Sequence, residues 1–278
     1  MEAVVGGIPG RIRLRRTVAA PTVGESMTGV TVALVYPDLL GTYGDGGNAR
    51  VLVQRLRWRG IDAELLTVGL GTPLPRTCDL YVLGGGEDAP QSLAASELRR
   101  EGALLAAVDA GAAVFAVCAG VQVIGGKFLT NDGLRDGAEL VDIETIRGLA
   151  VRAVGELAVD PDPSLELPRL SGYENHAGAT RLGPGVRPLG RVVAGVGNGA
   201  GDGTDGFVSG HMLGTYLHGP ALARNPELAD LLLSWVVGEL PAFPRPEVDA
   251  EAAGLRASRL AAAIPTRRRG WQGQKRGT

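Results

Sequence analysis

The sequence predicts an α/β protein built on a largely parallel sheet flanked by helices. Two observations carry that expectation. Short runs of small and β-branched residues alternate with amphipathic segments of helical period through the first half of the chain. Each of those runs also ends in a glycine-rich or polar loop, where open parallel sheets keep their ligand crevice.

Val30 to Tyr36 is the first buried strand, closed by Pro37. A loop, Asp38 to Asn48, leads into a helix from Asn48 to Arg59 in which Val51, Leu52, Leu56 and Trp58 alternate with Arg50, Arg55, Arg57 and Arg59. Gly60 ends it, and Ile61 to Val68 is a second strand, so the three segments make a βαβ unit. Asp79 to Leu83 is a short strand running into Gly84-Gly85-Gly86-Glu87-Asp88. A helix is expected from Pro90 to Ala110, followed by a strand, Ala112 to Val117, that stops at Cys118.

Beyond Gly126 the periodicity weakens. Val151 to Val159 alternates like a half-exposed strand, Pro161 to Pro168 is a loop, and the polar cluster Tyr173-Glu174-Asn175-His176 is placed in a loop. Gly195 to Gly206, with six glycines, Asp202 and Asp205, reads as a mobile hairpin or surface loop. Phe207 to Leu217 is expected as one strand ending at His218-Gly219-Pro220. Asn225 caps a helix to Val237 with Pro226 at its first position, and Ala250 to Ala263 is a terminal helix.

The domain expectation is a disordered basic leader over residues 1–26, one domain over 27–245, and a C-terminal helix with a disordered basic tail over 246–278. A formal charge of −2 supplies no global field to recruit nucleic acid or membranes. The two cysteines, Cys78 and Cys118, make no disulfide framework and suit a reducing compartment, so a cytoplasmic location is expected. No apolar run is long enough for a transmembrane segment.

The chemistry centres on Cys118. A strand that turns sharply into a helix needs small neighbours, and Ala116, Ala119 and Gly120 supply them. The start of such a helix presents free N–H groups and a positive dipole end, which favour a thiolate and can hold an oxyanion. Nucleophile and buried structural cysteine both remain open on this segment alone. Of three histidines, His218 falls at the same sheet edge as Cys118 and is the preferred base; His211, seven residues earlier, faces the other side, and His176 has a binding or structural place. No acid stands two residues after His218, where Pro220 is found, and Glu227 is expected on a helix surface. Either a dyad suffices or the orienting acid comes from elsewhere. One backbone N–H of Gly84 to Gly86 with that of Ala119 would make an oxyanion hole.

Four ordered motifs add a resemblance. Val-Leu-Gly-Gly-Gly-Glu-Asp (82–88), Val-Cys-Ala-Gly-Val-Gln-Val-Ile-Gly (117–125), Gly-Tyr-Glu-Asn-His-Ala-Gly (172–178) and Gly-Thr-Tyr-Leu-His-Gly-Pro (214–220) resemble class I glutamine amidotransferases of the cobyric acid synthase branch. Tyr-Gly-Asp-Gly-Gly-Asn (43–48) matches too, and the motifs are most similar to glutaminase subunits of lipid II isoglutaminyl synthases. The resemblance spans Val30 to Leu240 and implies a flavodoxin-like class I amidotransferase fold.

It also implies hydrolysis of L-glutamine, with ammonia passed to a Mur-ligase-like (MurT-type) subunit in a heterodimer, and that subunit is expected to supply the acid that orients His218 across the interface. That ligase would activate the D-glutamate α-carboxylate of lipid II, so ATP and Mg are expected in the partner and no cofactor or metal in this subunit. By motif, Cys118 is the nucleophile, His218 the base, Gly85 and Ala119 the oxyanion donors, and Arg152 and Gln122 the substrate-binding residues. Arg152 could equally sit in a surface salt bridge. The family's Gly-Gly-Tyr-Gln after the cysteine is Ala119-Gly120-Val121-Gln122 here, so Val121 is expected to remove an aromatic wall from the substrate pocket.

Two other readings compete. A cobyrinate-type amidotransferase would keep the same catalytic residues, but the chain lacks the P-loop pattern Gly-x-x-x-x-Gly-Lys-Ser/Thr, which favours a stand-alone subunit. A nucleotide-binding module would use Gly41 to Gly47 with Glu64 as ribose ligand, although the glycine spacing misses Gly-x-Gly-x-x-Gly and Glu64 falls inside a strand.

Overall fold

A computed structural model describes residues 29–148 and 151–264. The leader expected over 1–26 and the tail after Ile264 lie outside the described residues.

The predicted βαβ start is present as β1 (Val30–Val35), α1 (Gly46–Trp58) and β2 (Ala63–Val68), with β1 and β2 parallel and Val30 opposite Ala63. The single helix expected between β3 (Leu80–Leu83) and β4 (Ala113–Val117) is two, α2 (Asp88–Glu101) and α3 (Ala103–Asp109). Gly102 parts them at φ 59°, a left-handed conformation that ends a helix at little cost to glycine alone. β4 leads directly into α4 (Ala119–Ile124).

The strand expected from Phe207 to Leu217 is a tight antiparallel hairpin, β13 (Phe207–Ser209) and β14 (Met212–Thr215), turning at Gly210 and His211. That hairpin takes His211 out of the strand, so the alternation expected between His211 and His218 does not apply; His211 stacks on Trp235 with ring centroids 5.5 Å apart. Among the described residues the main sheet has the order β13-β14-β4-β3-β1-β2, parallel except for the β13 edge. Without that edge the strands run in the doubly wound flavodoxin-like order.

Alternate residues of the central strands feed two cores, as buried parallel strands require. Val32, Leu34, Val82, Phe115 and Val117 pack against Leu52 and Leu56 of α1, Leu222 of α5 (Ala221–Arg224) and Leu228 and Leu232 of α6 (Pro226–Val237). On the other face Ala33, Val35, Tyr81, Leu83, Val114 and Ala116 meet Leu98 and Leu104 of α2 and α3. Each core strand buries side chains on both faces at about 1.5–3 kcal/mol per large apolar group.

The weakly periodic middle of the chain is sheet. β5 (Lys127–Thr130), β6 (Gly133–Asp136), β7 (Ile143–Arg147) and β10 (Gly178–Leu182) form one small sheet; β8 (Ala153–Pro161), β9 (Leu170–His176), β11 (Gly190–Ala194) and β12 (Thr204–Asp205) form another. His176 therefore lies in strand β9 and is buried, not in a polar loop. The root of the Gly195 to Gly206 segment is also fixed: Glu174 accepts the N–H groups of Val196 and Gly197 at 2.8 and 2.9 Å, and Asn198 and Asp205 are fully buried.

Asn225 precedes α6 but does not cap it with its side chain, which instead accepts from the Ser171 N–H and donates to the Ser171 carbonyl. Its amide ties the helix to β9. The terminal helix α7 runs Pro246–Ala263, and its Arg256 holds Glu227 in a two-bond ion pair, so Glu227 bridges helices. Among the described residues no helix is long and apolar enough to cross a membrane.

Candidate active site

β4 and β14 are neighbours with Val117 opposite Thr215, so the residues just beyond them emerge side by side. Cys118 follows β4 directly, and its N–H donates to the Thr215 carbonyl at 2.9 Å. His218 is three residues past β14, and a pair of backbone hydrogen bonds with Tyr173 of β9, 2.7 and 3.0 Å, fixes it there. The elbow expected at Cys118 is present: φ 51° and ψ −105° put a non-glycine residue in a strained conformation of about 1–3 kcal/mol, at the head of α4. The turn closes because Gly120 has no side chain; a Cβ there would lie 2.8 Å from the Leu83 carbonyl oxygen.

His218 has its orienting acid within this chain. Nδ1 lies 2.9 Å from Oδ2 of Asp45, both groups buried, which overturns the expectation that the acid comes from a partner. Asp45 stands at the N-cap position of α1 yet makes no capping bond, because its carboxylate is turned to His218 and to the Gly85 N–H at 2.9 Å. Burial alone would push the His218 imidazole down; the interactions with the Asp45 carboxylate and with Cys118 outweigh it, and the ring is pushed up to about 10. Its Nε2 is buried and makes no hydrogen bond among the described residues, and the nearby Cys118 contributes to the upward shift of the ring. Tyr43 covers the ring, with centroids 4.6 Å apart.

The loop that was a candidate nucleotide cradle is thus committed to the histidine. Asn48 extends the tie by accepting the Leu222 N–H at 2.9 Å, just past the His218 turn. Glu64 lies exposed on β2, paired with Thr31, at the register where β1 begins and away from the strand ends that carry Cys118.

Gly85 cannot be the oxyanion donor, since its N–H is spent on Asp45. Among the described residues the N–H groups of Gly86 and Ala119 carry no hydrogen bond, and both residues line the cleft with Cys118.

The cleft, about 150 Å³, is walled by α2, α4 and the β9–β10 turn, with Glu87, Gln91, Gln122, Arg152, Asn175, His176 and Gly178 among its lining. Arg152 reaches the rim and is held by Asn175, whose side-chain oxygen and main-chain carbonyl accept from Nε and Nη2. Gln122 sits one turn along α4 from Cys118; its carbonyl accepts from Gln91 at 2.7 Å and its amide donates to Tyr216 at 3.3 Å. Tyr216 continues to Thr180 and Thr145, so the wall behind Gln122 is a closed hydrogen-bonded chain. Val121 is fully buried against Gly214 and lies outside the cleft lining, so the pocket loses no wall at that position.

Residues 31–226 match the CobB/CobQ-like glutamine amidotransferase domain. The chain is 33% identical over 228 residues to the lipid II isoglutaminyl synthase (glutamine-hydrolyzing) subunit GatD of Staphylococcus aureus, covering 80% of this chain and 91% of that protein. It is 30% identical over 208 residues to the GatD subunit of Streptococcus pneumoniae, covering 74% and 79%. The cobyric acid synthase of Brucella canis is 34% identical over 169 residues, which is 56% of this chain and 32% of that protein.

Proposed function

The chain belongs to the CobB/CobQ-like glutamine amidotransferase family, and from that membership we propose that it hydrolyses L-glutamine at Cys118 and supplies the ammonia for amidation of lipid II. One observation supports the chemistry above all others: Cys118, His218 and Asp45 meet at the carboxyl ends of β4, β14 and β1 in the order nucleophile, base and orienter. The length over which the chain matches the two GatD subunits, against a third of the cobyric acid synthase, supports the lipid II acceptor over a cobyrinate one.

Cys118, as thiolate, attacks the γ-carboxamide carbon, and the oxyanion that forms is taken by the N–H groups of Gly86 and Ala119. His218, an imidazolium at neutral pH, gives its Nε2 proton to the departing nitrogen, so ammonia leaves and a γ-glutamyl thioester remains. Water then adds to the thioester as His218 accepts its proton, and glutamate and the thiolate are released. Arg152 binds the α-carboxylate at the rim, while Gln122 forms the wall beside the amide. Ammonia passes to a Mur-ligase-like subunit in a cytoplasmic heterodimer, where ATP and magnesium serve the D-glutamate α-carboxylate.

The test is ammonia release from glutamine by the chain alone and with a candidate ligase subunit, for wild type, Cys118→Ala and His218→Ala. Both variants are expected to lose turnover. Activity that survives Cys118→Ala would refute the nucleophile, and amidation of cobyrinate but not lipid II by the assembled pair would refute the acceptor.

A further inference from the structure

Among the described residues four buried side-chain atoms carry no hydrogen bond: Oδ1 of Asp45, Nδ2 of Asn48, Oγ of Ser171 and Nε2 of His218. Nε2 is the atom that the proposed chemistry uses, and Ser171 belongs to β9. Asp45 and Asn48 stand one helical turn apart at the start of α1, where the Asn48 N–H donates to the Asp45 carbonyl at 2.9 Å, and both residues are fully buried. One orphan is an anionic acceptor and the other a donor, so each is what the other lacks. Buried polar atoms in folded proteins are paired, by protein or by an enclosed water.

Neither side chain is free to turn elsewhere. Asn48 is oriented by its oxygen: the Leu222 N–H, 2.9 Å away, needs an acceptor, so Oδ1 faces α5 and Nδ2 is the end left over. Asp45 is oriented by Oδ2, which accepts from the Gly85 N–H at 2.9 Å and lies 2.9 Å from Nδ1 of His218. Side chains three apart on a helix are neighbours, so the free amide hydrogens and the free carboxylate oxygen fall on one face of α1. The start of that helix also packs directly on the His218 turn, because a Cβ on Gly47 would collide with Pro220.

We propose that Asn48 is a positioning residue for the base: its Nδ2 donates to Oδ1 of Asp45, directly or through one enclosed water, and so keeps the carboxylate turned to His218. The inference rests on the glutaminase reading and extends its arrangement of Cys118, His218 and Asp45 by one side chain. A buried carboxylate oxygen without a donor is costly, and rotation of the group to find one would carry Oδ2 away from Nδ1 of His218. Asn48 removes that cost at one end of its amide. At the other end it holds the chain four residues past the base, so acid and base are referred to the same side chain.

Asn48→Asp separates the two ends of the amide. It keeps an acceptor for the Leu222 N–H and puts a carboxyl oxygen where Nδ2 stood. In acid that carboxyl keeps its proton beside Asp45 and still donates; ionised, it has no proton to give and repels Asp45. Ammonia release from glutamine by the whole chain with a candidate ligase subunit is measured across pH for wild type and variant. The ratio of variant to wild-type kcat is expected to fall about tenfold or more from about pH 5 to pH 8, with KM changed little. A purely structural role for Asn48 would lower the ratio equally at every pH, and that result, or a ratio of one throughout, overturns the proposal. A crystal structure of the unmutated chain tests it without any variant: Nδ2 of Asn48, or a water to which it donates, is expected within about 3.2 Å of Oδ1 of Asp45, and a different donor at Oδ1 refutes the role. Absence of ammonia release by wild type with its ligase sinks the glutaminase reading instead, and the contact at Asp45 is still decided by the crystal structure.

Discussion

Asp45 and His218 are 173 residues apart in sequence and 2.9 Å apart in the fold. The contact joins the first loop of the sheet to the last, so the base is oriented only when the whole parallel sheet has assembled. Replacing the acid by its amide separates orientation from charge. Asp45→Asn is expected to lower kcat/KM by roughly 10²- to 10⁴-fold, and to move the alkaline limb of its pH profile down. The sign follows from the cause: two of the effects that push His218 up to about 10 come from Asp45, and without them the ring loses its proton at lower pH. A pH profile whose alkaline limb stays in place would show that Asp45 does not set the state of His218.

Much of this arrangement is legible in the sequence, and the part that is not has a physical cause. Cys118 and His218 are readable because each ends a run of apolar residues whose direction in a parallel sheet is fixed, so their meeting follows from strand order. Asp45 is also in a strand-end loop, but an Asp before an amphipathic helix reads as a cap, and its role depends on a register set by β1, β3, β4 and β14 together. The commitment of the Gly85 N–H has the same origin, since only the Asp45 contact decides that it is spent. The hairpin at Gly210 was hidden for a different reason: Phe207 to Leu217 is apolar enough on both sides of the turn to pass for one strand.

Arg152 has two of its nitrogens held by Asn175, so its guanidinium plane is fixed before any substrate arrives. With Arg152 in its proposed role, Arg152→Ala is expected to raise the KM for glutamine by about 10- to 100-fold with kcat changed little, because an α-carboxylate held there would be bound equally in ground and transition states. Arg152→Lys should recover only a small part of this loss, as a point charge cannot keep both the Asn175 bonds and a forked contact. Steady-state kinetics decide it; a fall in kcat at constant KM would move Arg152 from binding to chemistry.

Asp205 is fully buried behind the site, accepting from the Thr215 hydroxyl and the Tyr216 N–H, with Glu174 and His176 as the titratable groups facing it. Burial pushes its carboxyl up to about 6. A folded-state value above the unfolded one means that the contribution to stability is fully present in acid and is lost as pH rises through about 6. Asp205→Asn escapes that loss. The difference in Tm, variant minus wild type, is therefore expected to increase between about pH 5 and pH 8 in thermal melts, and a difference that is flat across this range would exclude the titration.

Gly85 is where the site is most crowded. A Cβ on this residue would lie 2.8 Å from Cε1 of His218, 3.1 Å from the Tyr43 ring and 3.2 Å from Oδ2 of Asp45. Neither His218 nor Asp45 can withdraw freely, since His218 is held by Asp45 and Tyr173, and Asp45 by the Gly85 N–H itself. Gly85→Ala is thus expected to cost about 1–3 kcal/mol of stability, as overpacking does, and to lower kcat more than it raises KM because the base is what moves. Gly44→Ala makes a useful contrast: that glycine has φ 74° but nothing within 4 Å of a built Cβ, so only backbone strain follows and the catalytic geometry should persist. Chemical denaturation together with kcat for both variants checks the argument, and a Gly85→Ala chain with wild-type kcat would mean that the His218 position tolerates the displacement.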